Sequence, residues 1–113
     1  MNGCIFCDIV EGKSKANILC EGKQVLAFYD VNPVAPLHFL VIPKIHINSV
    51  MELNKENSGI ISEVFEVIAA LAKELELENG FRVITNHGNL AGQTVDHIHF
   101  HVLGQRAMAW PPG

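Results

Sequence analysis

Residues 96–102 read Asp-His-Ile-His-Phe-His-Val, and this stretch limits what the chain can become more than any other. Side chains alternate between the two faces of a strand. His97, His99 and His101 therefore share one face, and Ile98, Phe100 and Val102 share the other. The apolar face calls for a core. The chain has six histidines in 113 residues, and three of them in one register point to a site rather than a solvated edge. One metal ion cannot take all three. Positions two apart on a strand lie about 6.8 Å apart and positions four apart about 13–14 Å, against a zinc–nitrogen bond of about 2 Å. At most two neighbours share an ion, so the row divides between jobs. Phosphate chemistry suits the second job. A neutral imidazole is a good nucleophile, its pKa of about 6.5 leaves it mostly unprotonated near neutrality, and a protonated neighbour stabilises charge on phosphoryl oxygens.

The rest of the chain reads as one domain, residues 1–113, without repeats or a linker. A short helix is expected over 4–10, ended by Gly12. Strands are expected at 18–21, 25–29 and 38–42, and Ser49 with Glu52 fits a capping box. A long helix spans about 57–77, with Ile61, Val64, Phe65, Ile68, Leu71, Ala72 and Leu75 at helical spacing, and Asn79-Gly80 ends it. Ile60, Val67 and Ala70 widen its apolar stripe, which implies two partners: the chain's own sheet and a second subunit. Strands follow at 81–86 and 95–103, the latter closed by Gly104, with a loop at 87–92 between them. Strands with one main helix give an α+β fold with an antiparallel sheet.

Composition narrows the function classes. Charged residues are only 18%, below the usual value of about 25%, as when part of the surface is covered in an oligomer. The net charge of −4 argues against a nucleic-acid partner, though not against one small phosphate ligand. Asp8 and Glu11 interrupt any signal-peptide core. The longest apolar stretch, 33–43, contains His38 and three prolines and is too short for a bilayer. The expectation is a soluble cytoplasmic protein, extending to the nucleus in a eukaryote, with no membrane partner. There are three cysteines. In a reducing compartment, Cys4-x-x-Cys7 reads as a metal site or redox pair, and no βαβ context supports the redox reading. Cys20 reads as a small buried apolar residue and His87 as a solvated loop histidine.

His-Ile-His-Phe-His-Val-Leu at 97–103 resembles the histidine-triad (HIT) signature, His-φ-His-φ-His-φ-φ with φ apolar. His38-Phe39-Leu40-Val41-Ile42-Pro43-Lys44 followed by His46, Ala91-Gly92-Gln93-Thr94-Val95, and Trp110-Pro111-Pro112-Gly113 are similar to the Hint branch of that superfamily, the nucleotide-binding phosphoramidases. The resemblance implies a HIT-like fold, with a five-stranded antiparallel sheet, one long and one short helix, and a homodimer whose sheets join into one. It implies hydrolysis of adenosine or guanosine phosphoramidates and acyl-adenylates to AMP or GMP through a nucleotidyl-histidine. A dinucleoside polyphosphate hydrolase and a nucleotide-binding interaction protein are the alternatives.

The same resemblance implies roles. His99 is the nucleophile, His101 contacts the α-phosphate, and His38 supports them. Thr94 stands near the phosphate and leaving group where the branch has Ser. Asn86 and Gln93 line the phosphate region, and Gly92 lets backbone N–H groups approach an anion. Asp30 accepts the ribose hydroxyls and Val31 lies beside the base. Phe6, Ile9, Phe28 and Leu40 wall the purine pocket, and Trp110 belongs to a tail that reaches the partner's site. Two readings stay open: Asp30 as a turn residue before Asn32-Pro33, and the four apolar residues as ordinary core. Asp96 replaces an aromatic residue, and its carboxylate is expected to hydrogen-bond a histidine and raise its pKa. Ala109 replaces a histidine, which puts the leaving-group preference in question. Cys4, Cys7, His46 and His97 together supply a closed tetrahedral set of the structural zinc type. The alternative is a thiol pair capping a helix, with His97 orienting His99.

Overall fold

The computed structural model describes residues 3–113. Its sheet has five antiparallel strands: β1 (Ile18–Glu21), β2 (Val25–Tyr29), β3 (Leu37–Pro43), β4 (Phe81–Ile84) and β5 (Phe100–Gly104), in the spatial order β1-β2-β3-β5-β4. One long helix, α2 (Gly59–Glu74), and one short helix, α1 (Ile5–Val10), complete the fold. No helix among the described residues is long and apolar enough to cross a membrane.

β2 and β3 are apolar along almost their whole length because both faces are covered. Val25, Ala27, Phe39 and Val41 pack under α2 against Val64, Ile68 and Leu71. The intervening Leu26, Phe28, Leu40 and Ile42 pack under α1 against Phe6, Cys4 and Cys7. Ile98, Phe100 and Val102 join the α2 side, as the alternation requires. His38 and His101 are set in register opposite Leu103 and Leu40. They project on the α1 face, and the site lies there.

Three boundaries and one cap differ most from expectation, each for a local reason. The long helix ends at Glu74, short of residue 77. Leu77 N–H bonds Ala72 O and Glu76 N–H bonds Lys73 O, the paired bonds of a Schellman turn. Glu76 takes the left-handed conformation there (φ 60), so no glycine marks the end, and buried Leu77 clips the turn to the core. The last strand starts at Phe100 instead of 95, because His97 turns toward the cysteines and Ile98 N–H bonds Ile47 O in place of a ladder partner. β4 stops at Ile84, where the Thr85 hydroxyl donates to His99 O at 2.8 Å. Ser49 caps a 3-10 turn at Val50–Glu52 by accepting the Met51 N–H, but the Glu52 carboxylate reaches Asn48 N–H rather than closing a capping box on Ser49.

Gln105, just past β5, is exposed with φ 67. The left-handed region costs an L residue about 1–2 kcal/mol, part of which glycine's extra chain entropy takes back. Gln105→Gly is expected to stabilise the protein by about 0.5–1 kcal/mol, a rise in Tm of about 2–5 °C, readable by calorimetry.

Candidate functional site

Two clusters of histidines lie on the α1 face, and their hydrogen bonds set them to different tasks. In the first, Cys4, Cys7, His46 and His97 place one ligand atom each within 4.8 Å of one another. Cys4 Sγ lies 3.4 Å from His97 Nδ1, and Cys7 Sγ lies 3.2 Å from His46 Nδ1 and 3.6 Å from His97 Nδ1. Zinc bonds of about 2.3 Å to sulfur and 2.1 Å to nitrogen give a tetrahedral edge of about 3.6 Å. The other ring nitrogens face oxygens: His97 Nε2 donates to Pro43 O at 2.9 Å and His46 Nε2 to Asn48 Oδ1 at 2.7 Å. Both Nδ1 lone pairs are thereby turned toward the sulfurs, as a metal site requires. Without an ion, burial, then the hydrogen bond and charge of Cys4, push the Cys7 thiol up to about 11. A divalent cation reverses that balance. The donor set, spacing and tautomers all fit a closed tetrahedral zinc.

The second cluster is Asp30, His38 and His101, and it has the opposite polarity. Val34 N–H donates to His38 Nδ1 at 3.1 Å, so His38 carries its proton on Nε2. That Nε2–H points at His101 Nδ1, 2.9 Å away, and at Asp30 Oδ2, 3.3 Å away. A protonated Nε2 does not ligate a metal, so this is a hydrogen-bond relay. His101 Nδ1 accepts, and the His101 proton sits on Nε2. His99 is set the other way round. Its Nδ1 lies 2.7 Å from His97 O, a carbonyl that can only accept, so Nδ1 holds the proton and Nε2 holds the lone pair. Two neighbouring rings, 5.0 Å apart, thus present a lone pair and an N–H.

Asp30 is a turn residue and also faces the histidines. Its Oδ1 accepts Asn32 N–H at 2.7 Å in an Asx turn, while Oδ2 faces the histidine pair. Asp96, by contrast, is exposed and pairs with no histidine among the described residues. The carboxylate beside the histidines is Asp30.

A cavity of about 400 Å³ opens beside these rings. Phe6 and Ile9 of α1 form its walls with Phe28 and Leu40. Asp30, Val31, Thr94, His99 and His101 line the rest. Phe6 stands edge-on to His99 at 5.1 Å and to His97 at 5.9 Å. Lys15 and Asn32 also line it, and nothing in the pattern of the sequence marked them. Asn86, Thr94, His38 and His101 line an adjoining cavity with Asp30, so Thr94 belongs to both.

Three candidate residues lie elsewhere. The side chain of Gln93 is spent on Asn48 O, Val95 O and Gly88 N–H. The N–H groups of Gly92 and Gln93 close their own loop onto Asn89 O and Gly88 O, and Gly92, at φ 81, is needed for that turn. Trp110 is 82% exposed and lines neither of these two cavities. Cys20 is half-buried, and His87 is exposed but holds Ser49 Oγ at 2.7 Å.

Burial pushes His101 down to about 4, helped by the charges of His99 and His38 and opposed by Asp30. Burial lowers His38 too, again against Asp30. The N–H that His101 offers in the free site is therefore that of a neutral imidazole. The folded protein takes up these protons less readily than the unfolded chain, so their stabilisation is full above the ordinary pKa of 6.5 and is lost as the pH falls toward 4. For His101 it amounts to about 3 kcal/mol. Urea midpoints are expected to fall steadily from pH 7 to pH 4, and His101→Asn should flatten that slope.

The profile of the HIT domain family matches residues 11–108. The chain belongs to the HIT domain family. An uncharacterized HIT-like protein of Synechococcus elongatus is 41% identical over 109 residues, 96% of each chain. A crystal structure of a HIT family hydrolase from Legionella pneumophila superposes with a TM-score of 0.95 at 41% identity, covering 98% of this chain and 100% of that one. A histidine triad nucleotide-binding protein from Candida albicans superposes with a TM-score of 0.83 at 31% identity, covering 98% of this chain and 85% of that one. The two histidine clusters are thus built on a HIT fold.

Proposed function

We propose that this HIT protein is a purine nucleoside phosphoramidase of the Hint type, working as one domain over its whole length. The observation that carries the reading is the opposed tautomers of His99 and His101 at the mouth of a purine-sized apolar cavity. The Legionella relative's hydrolase name and the Candida relative's nucleotide-binding name point the same way.

The base lies between Phe6, Ile9, Phe28 and Leu40, with Val31 beside it, and Asp30 Oδ2 takes the ribose hydroxyls. His99 Nε2 attacks the α-phosphorus. A P–N bond to the ring forms as the P–N bond to the leaving amine breaks, and the amine departs with a proton from the Thr94 side of the cavity. His97 O stabilises the Nδ1–H of His99 as positive charge builds on the ring. His101 Nε2–H donates to a phosphoryl oxygen, held in that tautomer by the His38 relay. Water then attacks phosphorus, His99 leaves, and AMP or GMP is released.

The cluster of Cys4, Cys7, His46 and His97 would hold a structural zinc, which fixes His97 and so the carbonyl that orients His99. The cytoplasm keeps such thiols reduced. Two copies would join at the outer edge of β4, where Phe81 is exposed, with Phe65 of α2 also covered.

The test is incubation with adenosine phosphoramidate, with AMP release followed and a quenched sample searched for an AMP adduct on the 97–101 segment. AMP release with the adduct at His99 is the expected result. Faster cleavage of diadenosine polyphosphates would overturn the substrate assignment, and nucleotide binding without turnover would overturn the enzyme reading.

A further inference from the structure

A hydrogen-bonded bridge joins the metal-type cluster to the loop that carries Thr94. His46 Nε2 lies 2.7 Å from Asn48 Oδ1. The Asn48 amide has one orientation available. Its Nδ2 and its backbone N–H both meet the Glu52 carboxylate, at 3.2 and 3.1 Å, and a carboxylate needs donors. Oδ1 therefore faces His46. The backbone pinned by Glu52 leaves the Asn48 carbonyl to accept from Gln93 Nε2 at 2.8 Å. Gln93 gives its second Nε2 proton to Val95 O at 3.1 Å and accepts Gly88 N–H at 2.9 Å. Thr94 sits between Gln93 and Val95, with its backbone held on both sides. Asn48, Glu52 and Gln93 line neither cavity around His99 and His101, so the network cannot act by touching a ligand there.

We propose that Asn48 is a positioning residue that couples the ion held by Cys4, Cys7, His46 and His97 to the placement of Thr94. His46 sets Asn48, Asn48 sets Gln93, and Gln93 sets the loop. A nucleotide that needs the ordered loop and an ion that needs the ordered His46 then strengthen each other's binding by the same factor. The inference rests on the phosphoramidase reading of the site.

The experiment measures zinc affinity by chelator competition, with and without AMP, and hydrolysis of adenosine phosphoramidate at saturating zinc. Asn48→Ala is expected to weaken zinc by about 10–100-fold. With zinc saturating, it should still lower kcat by about tenfold while KM stays within about twofold, the mark of a misplaced transition-state group. Gln93→Ala should show the same loss of kcat with zinc affinity within about threefold of wild type. N48D combined with E52Q exchanges donor and acceptor across the 48–52 contact and keeps an acceptor for His46, so it should recover kcat to within about threefold. Wild-type kcat in zinc-saturated Asn48→Ala, or in Gln93→Ala, would overturn the inference and leave the functional reading intact. If the wild type itself fails to turn over, the functional reading falls and the AMP–zinc coupling decides. Its loss in Asn48→Ala upholds the bridge, and its persistence overturns it.

Discussion

His99→Ala is expected to lower kcat on adenosine phosphoramidate by about 10⁴-fold or more, with no burst and no adduct, while AMP binding changes by less than about threefold. The expectation follows from what His99 does and does not hold together. The ring is 6% exposed, and its packing is against Phe6 and His101. Among the described residues its ring hydrogen-bonds only His97 O, and the Pro43 bond of His97 and the cysteine cluster survive its removal. The nucleotide keeps the Phe6, Phe28 and Leu40 walls and the Asp30 carboxylate. Only the lone pair disappears. His101→Ala removes an N–H aimed at an oxygen instead, and should cost about 10²–10³-fold, the usual loss for one such donor. Stopped-flow measurement of the burst separates the two, because His101→Ala keeps a slow adduct and His99→Ala has none. Retention of more than about one hundredth of wild-type kcat in His99→Ala would mean that another group attacks phosphorus.

Much of this arrangement was legible in the sequence because it is local or periodic. The alternation at 97–103 placed Ile98, Phe100 and Val102 in the core and His101 on the opposite face, and the wide stripe on α2 located the helix that covers that core. The group of Cys4, Cys7, His46 and His97 was named from residue types and the family resemblance together, and the fold brings its three distant segments to one place. What escaped was set by tertiary partners. The early end of α2 depends on Leu77 reaching the core, which makes a left-handed Glu76 affordable. The tautomers of His38 and His99 depend on Val34 N–H and His97 O, which no spacing rule reports. Gln93 looked like a ligand residue because of its neighbours, yet its amide is committed to three backbone groups. Asp96 looked like the carboxylate for the histidines because of its position in sequence. Asp30, some seventy residues away, holds that place in space.

If Cys4, Cys7, His46 and His97 hold zinc as proposed, its removal by chelation or by Cys4→Ser with Cys7→Ser is expected to lower Tm by about 15–20 °C. A bound ligand at a thousandfold excess over its Kd adds about 4 kcal/mol, and each kcal/mol is worth about 4–5 °C in a domain of this size. The damage should be local. α1 has six residues, far too few to be helical alone. Its anchors are the two cysteines and a small apolar cluster with Leu26, Phe28, Leu40 and Ile42, while the larger core under α2 uses none of the four ligands. Far-UV circular dichroism should therefore change little at 25 °C, whereas KM should rise about tenfold or more, because Phe6 lies between Cys4 and Cys7 and forms one wall of the cavity. kcat should fall too, since His97 loses its ligand bond and its carbonyl orients His99. The measurements are mass spectrometry of the intact protein under native conditions, thermal melting against added zinc, and steady-state kinetics before and after chelation. Protein purified without a metal ion, with Tm and KM indifferent to zinc, would leave Cys4 and Cys7 as a helix-capping thiol pair.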